Sequence, residues 1–278
     1  MKIEALRKLG TWSLTAYLIA FFVYLESPLI VIVLASFNDQ LTVRFPPTGF
    51  SLQWYEALWN VAMDAPGTKP GLVDSVWTSL WLGLVAMVGA VIAGVLAAFG
   101  LHRFRFPGRG LMRQVFLLPL LFPQVVVGIG LLVWFSQIGG VPTWLRLVAG
   151  HFILTLPYVM ITVTASLEML DRRLEEAAMN LGANPVKTFQ YITLPIIKPG
   201  IVSGAIFAWL VSFSNFTVTF FLYSGELRPL PPWLFEVVQH FVDPSVAALS
   251  TFLVAITLAV LVIINRMFSV GRLVGLRR

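Results

Sequence analysis

Six long apolar stretches, separated by shorter polar ones, run along the 278 residues. They cover roughly 12–36, 73–101, 111–135, 146–169, 200–223 and 246–268. Each supplies the ~20 residues an α-helix needs to cross ~30 Å of hydrocarbon. None shows the alternation of polar and apolar positions over ~10 residues that marks a transmembrane β-strand. The pattern predicts an all-α membrane protein of six transmembrane helices, forming a single domain over 1–278. The third and fourth stretches have little between them beyond Gly139, Gly140 and Pro142. The first run, Thr11–Ser36, follows Lys2, Arg7 and Lys8. It exceeds the ~7–15 residues of a secretory h-region and reads as an uncleaved helix.

Composition agrees with lipid as the solvent. Hydrophobic residues make up 58% of the chain and charged ones 12%, against about 45–50% and about 25% in soluble domains. Mean hydropathy is +0.86. The lack of cysteine excludes disulfides, thiolate ligands and cysteine nucleophiles. Net charge is +6. A basic chain can serve nucleic acid, but here the charges sit in clusters between apolar blocks, so no nucleic-acid partner is expected.

Those clusters set an orientation. With the N-terminus in the cytoplasm, the inner segments hold Lys2, Arg7, Lys8, Arg103, Arg105, Arg109, Arg113, Arg172, Arg173, Lys187, Lys198, Arg266, Arg272, Arg277 and Arg278, fifteen of the nineteen Lys and Arg residues. Arg44, Lys69, Arg146 and Arg228 fall outside. Cytoplasmic loops attract Lys and Arg, so both termini are expected in the cytoplasm. The outer segments 37–72 and 224–245 are rich in aromatics and proline, among them Pro46, Pro47, Trp233, Phe235 and His240. They suit interfacial anchoring or docking of an extracytoplasmic partner.

Small residues recur every four positions at Ala86, Ala90, Gly94 and Ala98, and again at Gly200, Gly204 and Ala208. That spacing lets membrane helices approach closely. Polar groups inside spans are expensive and so mark candidate pathway residues. Ser212, Ser214, Asn215, Gln124 and Glu26 are the candidates, with Gln137 near an outer end. The Ser212–Asn215 cluster either contacts solute or bonds neighbouring helices. Glu26 either faces the pathway or reaches interfacial water. His102, His151 and His240 show no metal-ligand spacing and are expected singly in loops or at interfaces.

The loop after the fourth span carries the most specific pattern. Asp171 can cap a helix. Leu174, Ala177, Ala178 and Leu181 give it an apolar stripe at i, i+3, i+4, i+7 spacing. Gly182 can end it in a left-handed conformation. Asn184 and Pro185 can start a second helix, which Pro195 is expected to close. This amphipathic helix-turn-helix either folds back on the bundle or enters a groove of another subunit.

Within the loop, Glu176-Ala177-Ala178, then Gly182 three residues on, then Ile192-x-Leu194-Pro195 after nine more, matches the EAA loop of binding-protein-dependent ATP-binding-cassette import permeases. Phe45–Tyr55, Leu118–Gly130 and Pro244–Ser250 are similar to the spermidine/putrescine-type subfamily, closer to the second of its two paired permeases. The resemblance implies a type I importer permease of MetI-like fold in a bacterial or archaeal plasma membrane. Glu175, Glu176, Ala177, Ala178, Gly182, Ile192, Leu194 and Pro195 would then engage two ATPase subunits. A second permease, sibling or copy, would complete the pathway, and an extracytoplasmic binding protein would deliver solute. ATP and Mg would bind the partner ATPases; this chain has no P-loop pattern and is expected to bind no cofactor and catalyse no reaction. Ser214 and Asn215 stand where polyamine permeases tend to carry acids, which leaves a polyamine-like or a less charged polar solute open. A solitary carrier or a membrane scaffold would leave the EAA pattern unexplained.

Overall fold

A computed structural model describes residues 2–40, 46–64, 71–225, 227–240 and 244–268. Within them the chain is helical apart from its loops and one isolated bridge between Ser224 and Leu227. Helix α1 spans Lys2–Ala35, α2 Gln53–Asp64, α3 Leu72–Arg103, α4 Arg109–Leu121, α5 Gln124–Ile138 and α6 Thr143–Glu168. Helices α7 (Arg172–Asn180) and α8 (Pro185–Thr188) follow, and a π-turn (Phe189–Thr193) leads into α9 (Leu194–Ser214). The last three are α10 (Thr217–Leu222), α11 (Leu230–His240) and α12 (Pro244–Phe268). Arg44, Phe45, Lys69, Arg272, Arg277 and Arg278 lie outside the described residues.

Among the described residues, four helices are long and apolar enough to cross a membrane: Gly10–Ala35, Leu72–Arg103, Thr143–Glu168 and the continuous path Pro185–Ser214. The pair α4 and α5 would make a fifth, and the described apolar part of α12, Ser245–Ala259, is shorter.

Three expectations about continuity need correction. The stretch 111–135 is not one straight helix, because α4 and α5 meet at 104°. Pro123 has no N–H to continue the ladder and biases its predecessor towards extended backbone; Phe122 accordingly sits at φ −84°, ψ 143°. Pro119, by contrast, stays inside α4. The stretch 200–223 is also interrupted. Helix α9 stops at Ser214, Asn215 is extended at φ −72°, ψ 110°, and helix resumes at Thr217. Finally, Pro195 does not close the second loop helix. The π-turn absorbs the proline: the Leu194 N–H bonds the Phe189 carbonyl, and Pro195 falls in the first turn of α9, where its missing donor is tolerated.

The chain divides into two compact units, 1–64 with 237–261, and 65–236 with 262–278. In the first, the segment after α1 returns onto that helix's end. Ser36 Oγ lies 2.6 Å from the Tyr55 hydroxyl, and Trp54 Nε1 donates to the Asn38 carbonyl at 2.7 Å. The apolar side chains of α1 from Trp12 to Ile30 are largely exposed.

In the second unit α3, α6 and α9 build the core. Val159, Met160, Val163 and Leu167 of α6 pack with Ala90, Ala98 and Leu101 of α3 and with Ile197 and Ala208 of α9. The small-residue repeats make this possible. A Cβ at Gly94 would lie 2.9 Å from Val159 Cβ, and one at Gly204 would lie 2.5 Å from Thr162 Oγ1 and 2.8 Å from Val159 Cα. Lipid is as apolar as leucine, so such close van der Waals packing, rather than hydrophobic burial, holds membrane helices together. A second cluster, Leu82, Phe135, Leu147, Leu154, Val218 and Leu222, ties α5 and α10 to α3 and α6.

Candidate functional site

Two constructions stand out in the second unit: a capped loop and a pair of facing helix breaks. The loop follows its sequence cues closely. The Asp171 carboxylate accepts from the Arg173 N–H at 3.0 Å, satisfying one of the donors a helix start leaves free. Helix α7 ends in a Schellman motif: the Gly182 N–H bonds the Met179 carbonyl at 2.9 Å and the Ala183 N–H bonds the Ala178 carbonyl at 3.0 Å. That geometry needs a left-handed residue, and Gly182 supplies it at φ +92°. Asn184 Oδ1 accepts from the Lys187 N–H at 2.8 Å, and Pro185 opens α8.

The loop's faces are inverted relative to a helix packed on its own protein. Leu181 is 90% exposed and Leu174 is 49% exposed. Glu176, Ala177, Gly182, Leu194 and Pro195 are exposed as well, while Ala178 and Ile192 are partly covered. Glu175 is the exception, only 4% exposed. Its carboxylate pairs with Arg103 at the end of α3 and accepts from the Thr193 hydroxyl at 2.5 Å. Arg172 adds a bond to the His102 carbonyl at 3.3 Å. A charged side chain thus anchors the loop inward while its apolar stripe faces out. Arg103 and Thr193 were not legible as partners of Glu175, since they lie 72 and 18 residues away in sequence.

The second construction brings three predicted pathway residues together. Asn215 occupies the break after α9 and is buried, whereas Gln124 opens α5 immediately after the α4–α5 break and is exposed. Asn215 Nδ2 donates to Gln124 Oε1 at 3.0 Å, so the two breaks face each other. Asn215 Oδ1 accepts from the Val218 N–H at 2.9 Å, capping the start of α10. Ser212 is buried, and its carbonyl accepts from the Asn215 N–H at 3.3 Å. Exposed Ser214 donates back to the Leu210 carbonyl at 2.8 Å. Glu26 is exposed on α1, in the other unit.

His151 departs from the expectation of an isolated loop or interface histidine. It lies inside α6, only 1% exposed. Its Nδ1 is 2.7 Å from Ser212 Oγ and its Nε2 is 3.0 Å from Thr219 Oγ1. The cost of a polar group inside a span, which singled out Gln124 and Asn215, applies to His151 equally and was the signal that could have found it.

Interrupted helices with polar groups at the breaks are how membrane transporters open a polar path through hydrocarbon. Residues 90–273 match the family described as binding-protein-dependent transport system inner membrane component. The chain belongs to that family and is a multi-pass inner-membrane component of bacterial type. It is similar to the spermidine/putrescine transport system permease protein PotC of Haemophilus influenzae, 31% identical over 89% of this chain and 93% of the relative. The putrescine transport system permease protein PotI of Escherichia coli K12 is 33% identical over 87% of this chain and 85% of the relative. A chain of the bacterial alginate ABC transporter in complex with alginate pentasaccharide-bound periplasmic protein shares the fold, with a TM-score of 0.70 at 18% identity over 93% of both chains.

Proposed function

We propose that this chain is the membrane-spanning half of an ATP-driven importer, moving a small polar organic solute of polyamine type. The observation that carries the reading is the loop over 171–195: an apolar stripe turned away from its own chain and held out by a buried anchor. A helix-in-groove contact is the natural use of such a face, and two cytoplasmic ATPase subunits are the proposed owners of the grooves. In this account six spans place both termini in the cytoplasm. A second permease completes the pathway, and a binding protein delivers solute from outside. ATP and Mg act on the partner subunits, and ATP shifts the complex between states only through its different affinity for them.

The polyamine systems of the two relatives support this solute class, and the chemistry of the breaks is compatible with it. At the Asn215 break the Asn215 side chain caps an N–H of α10, whereas the end of α9 presents carbonyls, the partially negative pole of a helix. Unwound carbonyls of this kind coordinate cations in other transporters. A cationic solute can therefore be met by carbonyl and amide oxygens although Ser214 and Asn215 are neutral.

Purification of the chain from its native membrane tests the proposal. A P-loop ATPase and a second permease should accompany it, and polyamine-loaded binding protein should stimulate hydrolysis. A chain that purifies without any ATPase under conditions that preserve complexes would overturn the reading. Two substitutions sharpen it. Gly182→Pro removes the N–H that closes the Schellman motif and cannot adopt positive φ, and Glu176→Lys reverses an exposed charge on α7. Each should lower transport at least about tenfold, the equivalent of ~1.4 kcal/mol, while the amount of folded permease stays near wild type by size-exclusion chromatography.

A further inference from the structure

Ser212 of α9, His151 of α6 and Thr219 of α10 form a hydrogen-bonded run that ends on the Asn215 main-chain carbonyl, and the side-chain NH2 of the same Asn215 makes a separate bond to Gln124. The direction of each bond can be worked out from its far end. The Thr219 hydroxyl donates to the Asn215 carbonyl at 2.5 Å, so its oxygen must accept from His151 Nε2–H. A neutral imidazole has one donor and one acceptor. Nδ1 therefore accepts from the Ser212 hydroxyl. Every proton in the run is used once, and the imidazole is fixed as the Nε2–H tautomer.

The two partners of His151 lie on opposite sides of the break, Ser212 in the last turn of α9 and Thr219 in α10. Its neighbour Gly150 explains how one ring reaches both. A Cβ there would come 2.5 Å from Leu222 Cδ1 and 3.2 Å from Val218 Cγ1, so the missing side chain lets these two residues of α10 pack directly on the α6 backbone beside His151. Filling the same space with an apolar ring would avoid the expense of a polar group at this depth.

The geometry points to His151 as a positioning residue of the solute pathway: it staples α9 to α10 across the break and so aims Asn215 at Gln124. His151 has this role only if the Asn215–Gln124 pair belongs to the pathway, as proposed above. It does not itself meet solute; it holds the Asn215 main-chain carbonyl through Thr219, while the Asn215 side-chain oxygen caps Val218 and its NH2 reaches Gln124.

The test uses the assembled importer in liposomes, with binding protein loaded with putrescine, and reads solute moved per ATP hydrolysed. His151→Phe keeps a ring but loses both bonds, and transport per ATP should fall about tenfold, the equivalent of ~1.4 kcal/mol. His151→Gln offers a donor and an acceptor and should restore transport to within about twofold of wild type. The decisive readout is the cycle with Gln124→Ala, a residue His151 does not touch. If His151 acts through Asn215, the double variant falls no further than the worse single variant; independent effects would multiply. Gln124→Ala that leaves transport intact would refute the pathway reading. Gln124→Ala that lowers transport, with His151→Phe neutral or multiplicative, would refute the staple while sparing the pathway. Should His151→Phe fail to assemble, Thr219→Val, which keeps shape and removes the middle hydroxyl, takes its place in the same cycle, and the same results refute the pathway or the staple.

Discussion

Gly204→Val is expected to abolish the folded bundle. A Cβ at Gly204 would sit 2.5 Å from Thr162 Oγ1 and 2.8 Å from Val159 Cα. The hydroxyl could rotate away, but the Cα is backbone and can yield only if α6 moves as a whole. The same seam includes Gly200, where a Cβ would meet the Thr162 carbonyl at 2.5 Å, so separation at one glycine opens contacts at the other. Overpacking a tight core costs typically ~1–3 kcal/mol, occasionally more, and valine adds two methyls beyond the Cβ. A loss of ~3 kcal/mol or more is expected, seen as failure to recover monodisperse protein in detergent. Gly130→Ala is the matched control. Gly130 lies on α5 with nothing within 4 Å of its would-be Cβ, and its variant should melt close to wild type.

Glu175→Leu should leave that bundle standing but release the loop. The substitution strands Arg103 and the Thr193 hydroxyl together. Removing one member of a buried ion pair costs ~3–5 kcal/mol. Arg103 keeps 33% of its side chain exposed to solvent, which reduces the expected loss to ~2 kcal/mol. The loop should become cleavable by protease, and transport should fall while hydrolysis by the ATPase subunits persists. Arg103→Leu combined with Glu175→Leu should recover part of the loss, because deleting both partners leaves no uncompensated charge. A double variant worse than either single one would mean that the two residues do not act as a pair.

The parts legible in sequence are those governed by neighbours along the chain. Asp171, Gly182 and Asn184 each satisfy main-chain groups within a few residues, Pro185 removes a donor that would lack a partner, and all four sit where capping chemistry puts them. The Ala86–Ala98 and Gly200–Ala208 stripes were legible because helix–helix approach depends on one face with a fixed period. The breaks were less so. Averaged over twenty residues, hydropathy does not register Pro123, although the conformational restriction on Phe122 does. At Asn215 there is neither proline nor glycine; the helix yields because Asn215 bonds the Val218 N–H with its side chain, the local competition that short polar side chains offer a helix. The partners of Glu175 and His151 were illegible for a different reason, although a polar group inside a span could itself have marked His151. Both roles rest on partners distant in sequence, and adjacent Glu175 and Glu176 look alike until Arg103 and Thr193 are brought beside one of them.

The most direct measurement is disulfide cross-linking from Leu181→Cys, at the most exposed large apolar side chain of the loop, in native membranes holding the whole importer. The chain has no other cysteine, so each adduct reports that one position. The account predicts a cross-link to the ATPase subunit bearing a cysteine in its docking groove, altered by ATP. A Leu181→Cys chain that links to lipid-facing probes or to its own bundle, and never to the ATPase, would contradict it.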